Sequence, residues 1–149
     1  MSLEIKSYTS IDDLRFENAT KNDAISSFGK PSVERKTRLG NVEYKYNDFI
    51  LRFDSLTSML LECTLLPYVK ATINGIKVTW DKAFLKKICE LDGTPKNSYG
   101  FIVLGKLGLA ITGIHDSDES QLAITIFHKS ELDEFLEGST LFDIDSLNE

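Results

Sequence analysis

The stretch Ile73-Asn74-Gly75-Ile76-Lys77-Val78, with the residues that run from Asp81 to Gly93-Thr94-Pro95, decides how the rest of the chain reads. Asn-Gly between apolar residues is a strong hairpin signal, because a type I′ turn needs positive φ at both central positions. Asp81 can then cap a helix from Lys82 to about Glu90. Its Phe84, Leu85, Ile88 and Cys89 recur at spacings of three and four and form one apolar stripe. Gly93 supplies a left-handed helix end, and Pro95 cannot continue the helix.

The same order of signals occurs earlier in the chain. Ile11-Asp12-Asp13-Leu14-Arg15-Phe16 matches the hairpin block; Asn18 or Thr20 can cap a helix with Ala24, Ile25 and Phe28 as its stripe, and Gly29-Lys30-Pro31 ends it. Residues 42–46, 49–53 and 61–66 then correspond to residues 99–103, 107–111 and 122–127, with block offsets running from 57 to 64. Five blocks in one order predict an internal duplication, residues 11–67 and 73–128. The expected fold is α+β: two tandem copies of a helix packed on an antiparallel sheet of three to four strands. The copies are expected to join as one sheet within a single domain spanning residues 1–149, because separate small sheets would expose strand edges.

Within the strands, apolar and polar positions alternate, so each predicted sheet has one core face and one free face. Phe49, Leu51, Phe53, Leu61, Cys63 and Leu65 read as core. The free face reads Glu43, Lys45, Ile50, Arg52, Glu62 and Thr64 in the first copy, and Gly108, Ala110, Thr112, Ala123 and Thr125 in the second. Trp80 reads as a core anchor of the second helix. Cys63 and Cys89 lie among apolar neighbours and read as unpaired core thiols, which points to a reducing, cytoplasmic location, or a periplasmic one had an upstream signal segment been removed.

A chain of 149 residues is long enough to bury a core, and apolar runs such as residues 59–61 are far short of the roughly 20 residues a bilayer span needs. The net charge of −6 is unevenly placed. Residues 111–149 hold one basic residue, Lys129, against Asp116, Asp118, Glu119, Glu131, Asp133, Glu134, Glu137, Asp143, Asp145 and Glu149. Such a balance argues against nucleic-acid binding and favours a basic protein partner. A short acidic helix, Ser130 to about Glu137, is expected to bury Leu132, Phe135 and Leu136.

A catalytic kit is not legible. Gly105-Lys106-Leu107-Gly108 lacks the spacing of a phosphate loop. His115, Asp116 and His128 could form a metal-dependent site only if strand register brought them together, and the 115–119 segment lacks the Gly and terminal Glu of a calcium loop. No cofactor is expected.

A helix ending in a Gly-x-Pro turn followed by antiparallel strands, given twice, resembles the tandem architecture of beta-lactamase inhibitor proteins and the single-unit small lipoproteins of outer-membrane assembly. The second copy, from Ile73-Asn74-Gly75 through Gly93-Thr94-Pro95 and Leu107-Gly108-Leu109, is also similar to small bacterial toxin-immunity proteins. The resemblance implies binding of another protein, such as a basic toxin or nuclease, rather than catalysis. The alternatives are the metal-dependent enzyme and a structural module of envelope assembly. The residues expected to meet a partner are Asp116, Asp118, Glu119, Glu131, Asp133, Glu134, Arg52, Glu62, Thr112 and Thr125.

Overall fold

The structure is a computed structural model that describes residues 2–148; Glu149, one of the C-terminal acids, lies outside the described residues. The first part of the chain forms β1 (Leu3–Lys6), β2 (Ser10–Ile11), β3 (Leu14–Arg15) and α1 (Lys21–Phe28). It continues through β4 (Val33–Lys36), β5 (Val42–Lys45), β6 (Phe49–Phe53) and β7 (Leu60–Leu65). There follow β8 (Ala71–Ile73), β9 (Ile76–Lys77), α2 (Lys82–Asp92), β10 (Lys96–Ser98), β11 (Phe101–Leu104), β12 (Leu109–Thr112) and β13 (Ala123–Phe127). The chain ends with α3 (Leu132–Leu136), β14 (Thr140–Leu141) and a 3-10 turn, Ile144–Asn148.

The fold is α+β, but its strands divide into two sheets rather than the one expected. A nine-stranded antiparallel sheet has the order β14-β10-β11-β12-β13-β7-β6-β5-β4. A five-stranded sheet, β3-β2-β1-β8-β9, collects the two hairpin blocks and is antiparallel except where β1 runs parallel to β8. In that second sheet Ile5 sits opposite both Ile11 and Ile73, so β1 bridges the two hairpins.

Local chemistry accounts for most of the elements. Asn74 and Gly75 have φ of 50° and 82°, and Ile73 pairs with Ile76 across them. Tyr99 and Gly100 do the same between β10 and β11, so Tyr99 lies in a turn and not in the strand the sequence suggests. The Asp81 carboxylate accepts the Phe84 N–H at 2.9 Å, and Gly93 closes α2 with φ 86° and ψ −26°. Burying Leu85 and Ile88 completely contributes about 2 kcal/mol each to holding α2 in place. In α1 the Asp23 side chain accepts the Thr20 N–H at 2.9 Å. Of its expected stripe, Ala24 and Phe28, one turn apart, face inward, whereas Ile25 is 38% exposed.

One contiguous core joins the inner face of the large sheet to the five-stranded sheet and to both longer helices. It includes Leu51, Phe53, Cys63, Leu65, Leu109, Ile111, Ile124 and Ile126, together with Ile5, Ile11 and Leu14, and Phe84, Leu85, Ile88 and Cys89. Cys63 and Cys89 are unpaired and buried; burial pushes both thiols up, Cys89 to about 12. Trp80 is buried, and its indole N–H donates to the Val69 carbonyl at 3.0 Å.

The outer face is not free along its whole length. Over the second half of the large sheet, α3 lays Leu132, Phe135 and Leu136 on Val103, Ala110 and Phe127. Phe135 stacks on Phe127 with ring centroids 4.5 Å apart, and the Tyr8 ring meets the other side of that patch. The small residues expected to form an open surface there are therefore largely covered: Ala110 is 1% exposed and Thr125 8%. Small side chains leave room for a covering helix, and the helix comes from the same chain.

Gly113 marks a close approach of two backbones. A Cβ at this position, where φ is 85°, would lie 2.6 Å from the Leu122 Cα and 2.7 Å from the Asp118 carbonyl oxygen. Gly113→Ala is expected to cost about 2–3 kcal/mol through combined strain and overlap, read as a lower midpoint in urea denaturation.

Candidate functional site

The outer face of β4–β7 stays open and carries a row of alternating charge. Register sets Arg35 opposite Glu43, Glu43 opposite Arg52, and Arg52 opposite Glu62. Residues directly opposite share a face, so four charges from four strands form one ladder, the arrangement in which cross-strand pairs attract. Arg35 Nε donates to Glu43 at 2.6 Å, and Arg52 Nε donates to the other oxygen of Glu43 at 3.0 Å. The Arg52 guanidinium also pairs with Glu43 through Nη2 and with Glu62 through Nη1, the latter at 2.5 Å. The Glu43 side chain is only 6% exposed. Burial pushes its carboxyl up, but hydrogen bonds and charge from Arg52 and Arg35 outweigh this and hold it below the usual range.

Two features turn this ladder into the floor of a groove. Register shifts between Arg52 and Phe53, so that Glu62 faces Arg52 while Leu60 faces Phe53; the extra residue, Leu61, is a β-bulge. The bulge adds Leu61 to the groove lining beside Glu62, and its carbonyl accepts the His128 N–H at 2.7 Å. A single 3-10 turn, Lys129–Glu131, then feeds α3, bringing Glu131 and Glu134 over the end of the ladder. The resulting groove has a volume of about 1110 Å³. Arg35, Lys36, Arg38 and Leu39 line one side, Tyr99 and Phe101 belong to the β10–β11 hairpin, and Glu131, Glu134 and Phe135 form the other wall. Leu39 and Tyr99 are 84% and 85% exposed.

At the α3 wall carboxylates outnumber their cation. Glu62 is pushed up by burial, a shift that the Arg52 charge only partly offsets. Glu131 is pushed up to about 7, first by burial and then by the charges of Glu62 and Glu134, with Arg52 opposing. Among the described residues none of the groove's cations, Arg35, Lys36, Arg38 and Arg52, forms an ion pair with Glu131 or Glu134.

The residues singled out from sequence therefore separate. Arg52, Glu62, Glu131 and Glu134 converge in the groove. Asp133 is exposed and lies outside its lining. Thr125 is buried beside Thr64, their hydroxyls 3.0 Å apart, and Thr112 donates to the Gln121 carbonyl at 2.5 Å, so both hydroxyls serve the fold. Asp116, Asp118 and Glu119 sit in the exposed middle, 116–121, of the loop between β12 and β13, where Asp118 caps a short 3-10 turn and Glu119 accepts from the Tyr68 hydroxyl at 2.9 Å. His115 packs its ring edge against Phe142, whereas His128 contacts Phe16 and accepts the Ser130 N–H. Among the described residues no group of three His, Cys, Asp or Glu side chains is arranged to hold a metal. The sequence does not show Arg35, Leu39 and Tyr99 as site residues, since their place depends on strand register and on the Tyr99-Gly100 turn.

Comparison of the chain with protein-family models, curated proteins and solved structures returned no match.

Two measurements probe the charge arrangement. Because Glu131 is raised when folded, the proton-bound form favours folding. Its contribution is complete below about pH 4.5 and is lost as pH rises through about 7. Glu131→Gln should match the parent in urea denaturation near pH 5 and exceed it in stability at about pH 8. Arg52→Met removes the shared cation and should cost about 2 kcal/mol at neutral pH in the same assay. That is less than the roughly 3–5 kcal/mol for breaking a fully buried pair, because Arg35 still contacts Glu43.

Proposed function

We propose that this chain is a non-catalytic protein-binding module of inhibitor or immunity type, which engages its partner through the groove on the open face of β4–β7. One observation carries the reading: the groove combines exposed apolar residues, Leu39 from the β4–β5 turn and Tyr99 from the β10–β11 turn, with an ordered charge ladder on its floor, while the corresponding face of β11–β13 is covered by α3. Interfaces take this form, with apolar or aromatic anchors beside polar groups that set register and orientation. A floor braced by two ion-paired strands on either side of Arg52 is also rigid, which limits the entropy lost on docking.

The strand order supports the duplication as well. Reading outward from β7 and β13, each half runs through four successive neighbours, β7-β6-β5-β4 and β13-β12-β11-β10, and each follows a hairpin and a helix. In this reading two equal units arose from one, and the C-terminal segment then closed the outer face of the second unit and left the first for a partner. A partner of basic character, such as a toxin or nuclease, fits the acidic C-terminal quarter.

Capture from lysate of the native host tests the proposal when it is run with a matched pair of proteins at low and high salt. The parent chain should retain one protein stoichiometrically. Leu39→Asp with Tyr99→Asn should lose it while unfolding at the same urea concentration, since both positions are exposed and Asn tolerates the positive φ at Tyr99. Retention by both proteins, or by neither at either salt concentration, would count against the groove as the binding surface.

A further inference from the structure

The two ends of the groove differ in chemistry. At the β4–β5 end lie Lys36 and Arg38, neither of them in an ion pair among the described residues. At the α3 end the ladder stops at Glu62, because the next residue across the sheet is Phe127 and no cation follows. Glu131 and Glu134 add two more carboxylates there, and Arg52, whose charge acts on Glu131 without pairing with it, is already shared by Glu43 and Glu62. The same end is lined by three aromatic rings, Tyr99, Phe101 and Phe135, and by Leu61 on its bulge. Carboxylates beside aromatic faces are the chemistry that recognises an ammonium or guanidinium group, by charge and by cation–π attraction.

We propose that the groove receives a basic segment of a partner protein, with one Lys or Arg side chain lodged among Glu62, Glu131 and Glu134 and apolar neighbours of that residue resting on Leu39, Leu61 and Tyr99. The proposal rests on the protein-binding reading above and narrows it to one class of partner surface. The concave shape suits a protruding chain segment rather than a flat surface. The occupant's charge completes the alternation that the ladder begins, since a cation after Glu62 continues the order Arg35, Glu43, Arg52, Glu62.

Capture is then linked to protons. Without an occupant, Glu131 faces Glu62 on β7 and Glu134 on α3, with Arg52 on β6 opposing them and Glu43 and Arg35 behind; this crowding keeps a proton on Glu131 near neutrality. A bound cation favours the ionised carboxylate, so docking expels that proton and tightens as pH rises between about 6 and 8. It also weakens with salt.

Selection of a random-peptide phage library on the full chain at about pH 8, followed by titration calorimetry with the selected peptides, tests this directly. The expected result is enrichment of peptides with Lys or Arg flanked by apolar residues. Their affinity should fall by about tenfold from pH 8 to pH 6 and by at least as much in Glu131→Gln with Glu134→Gln, a pair of changes that relieves repulsion and should leave the fold at least as stable. Enrichment of acidic or uncharged peptides, equal binding by the double variant, or no enrichment at all would overturn it. A host protein captured equally well by the parent and the double variant, yet lost with Leu39→Asp and Tyr99→Asn, would keep the protein-binding reading and remove the basic segment.

Discussion

The pairing of β7 with β13 is the constraint on which the rest of the structure depends. Leu65 faces Ile124, Thr64 faces Thr125, Cys63 faces Ile126, and Glu62 faces Phe127. Two apolar pairs point into the core, and the Thr64–Thr125 hydroxyl contact on the other face satisfies the buried Thr125 through the half-buried Thr64. Were this central seam unpaired, each half would present a long apolar strand edge, the usual template for aggregation. Because it is paired, the sheet's exposed edges fall to β4, which carries Glu34, Arg35 and Lys36, and to the two-residue β14. Charge and short length both discourage further pairing at such edges.

The same seam divides the outer face into a covered and an open half. On the β13 side the row across the sheet runs from Phe127 towards Gly108, and small or apolar residues allow α3 and Tyr8 to pack closely. Gly108 is part of that fit, since a Cβ there would lie 2.8 Å from the Tyr8 ring, whose hydroxyl donates to the Gly105 carbonyl. On the β7 side the row turns into Glu62, Arg52, Glu43 and Arg35, and charged side chains this close to water offer no apolar seat for a covering helix. The groove lies along the boundary, one wall supplied by the packed half and the floor by the charged half. Its electrostatic character follows from a mismatch: the ladder neutralises itself strand by strand, and the carboxylates of Glu131 and Glu134 arrive from outside that alternation.

Much of the fold was legible along the chain, and the exceptions have identifiable causes. The Asn74-Gly75 hairpin, the Asp81 and Gly93 ends of α2, and the alternation in β6 all rest on interactions within a few residues, so sequence shows them; in β7 it shows Cys63 and Leu65 as core, but the bulge turns Leu61 to the groove and buries Leu60 in its place. β4 is not legible along the chain because Val33, Glu34, Arg35 and Lys36 are all exposed and carry no alternation; only its pairing with β5 makes it a strand. β1 does alternate, yet its role is to bridge two hairpins through a parallel contact between residues almost 70 positions apart, which no local pattern reports. For the site, the sequence shows Arg52, Glu62, Glu131 and Glu134 only singly, as charges on a sheet face or an acidic helix. Their meeting depends on the Leu61 bulge and on the direction in which α3 folds back. The 113–122 acids stand out in the sequence for the same reason, net charge, but their carboxylates are engaged in turn geometry and a Tyr68 contact.

What the sequence by itself determined is the set of local units: two hairpins, two capped helices and strands with one apolar side, because each follows from backbone sterics, capping hydrogen bonds and the burial of a periodic apolar face. It also set the sign and placement of charge, near neutral through residue 110 and strongly acidic beyond. Only the tertiary structure decided which strands became neighbours, that the hairpins left the main sheet to form their own, and which face α3 covered. Those outcomes rest on pairings between residues far apart in the chain, where many registers satisfy the same alternation. The choice among them is made by how the whole core packs and by which charges can find partners.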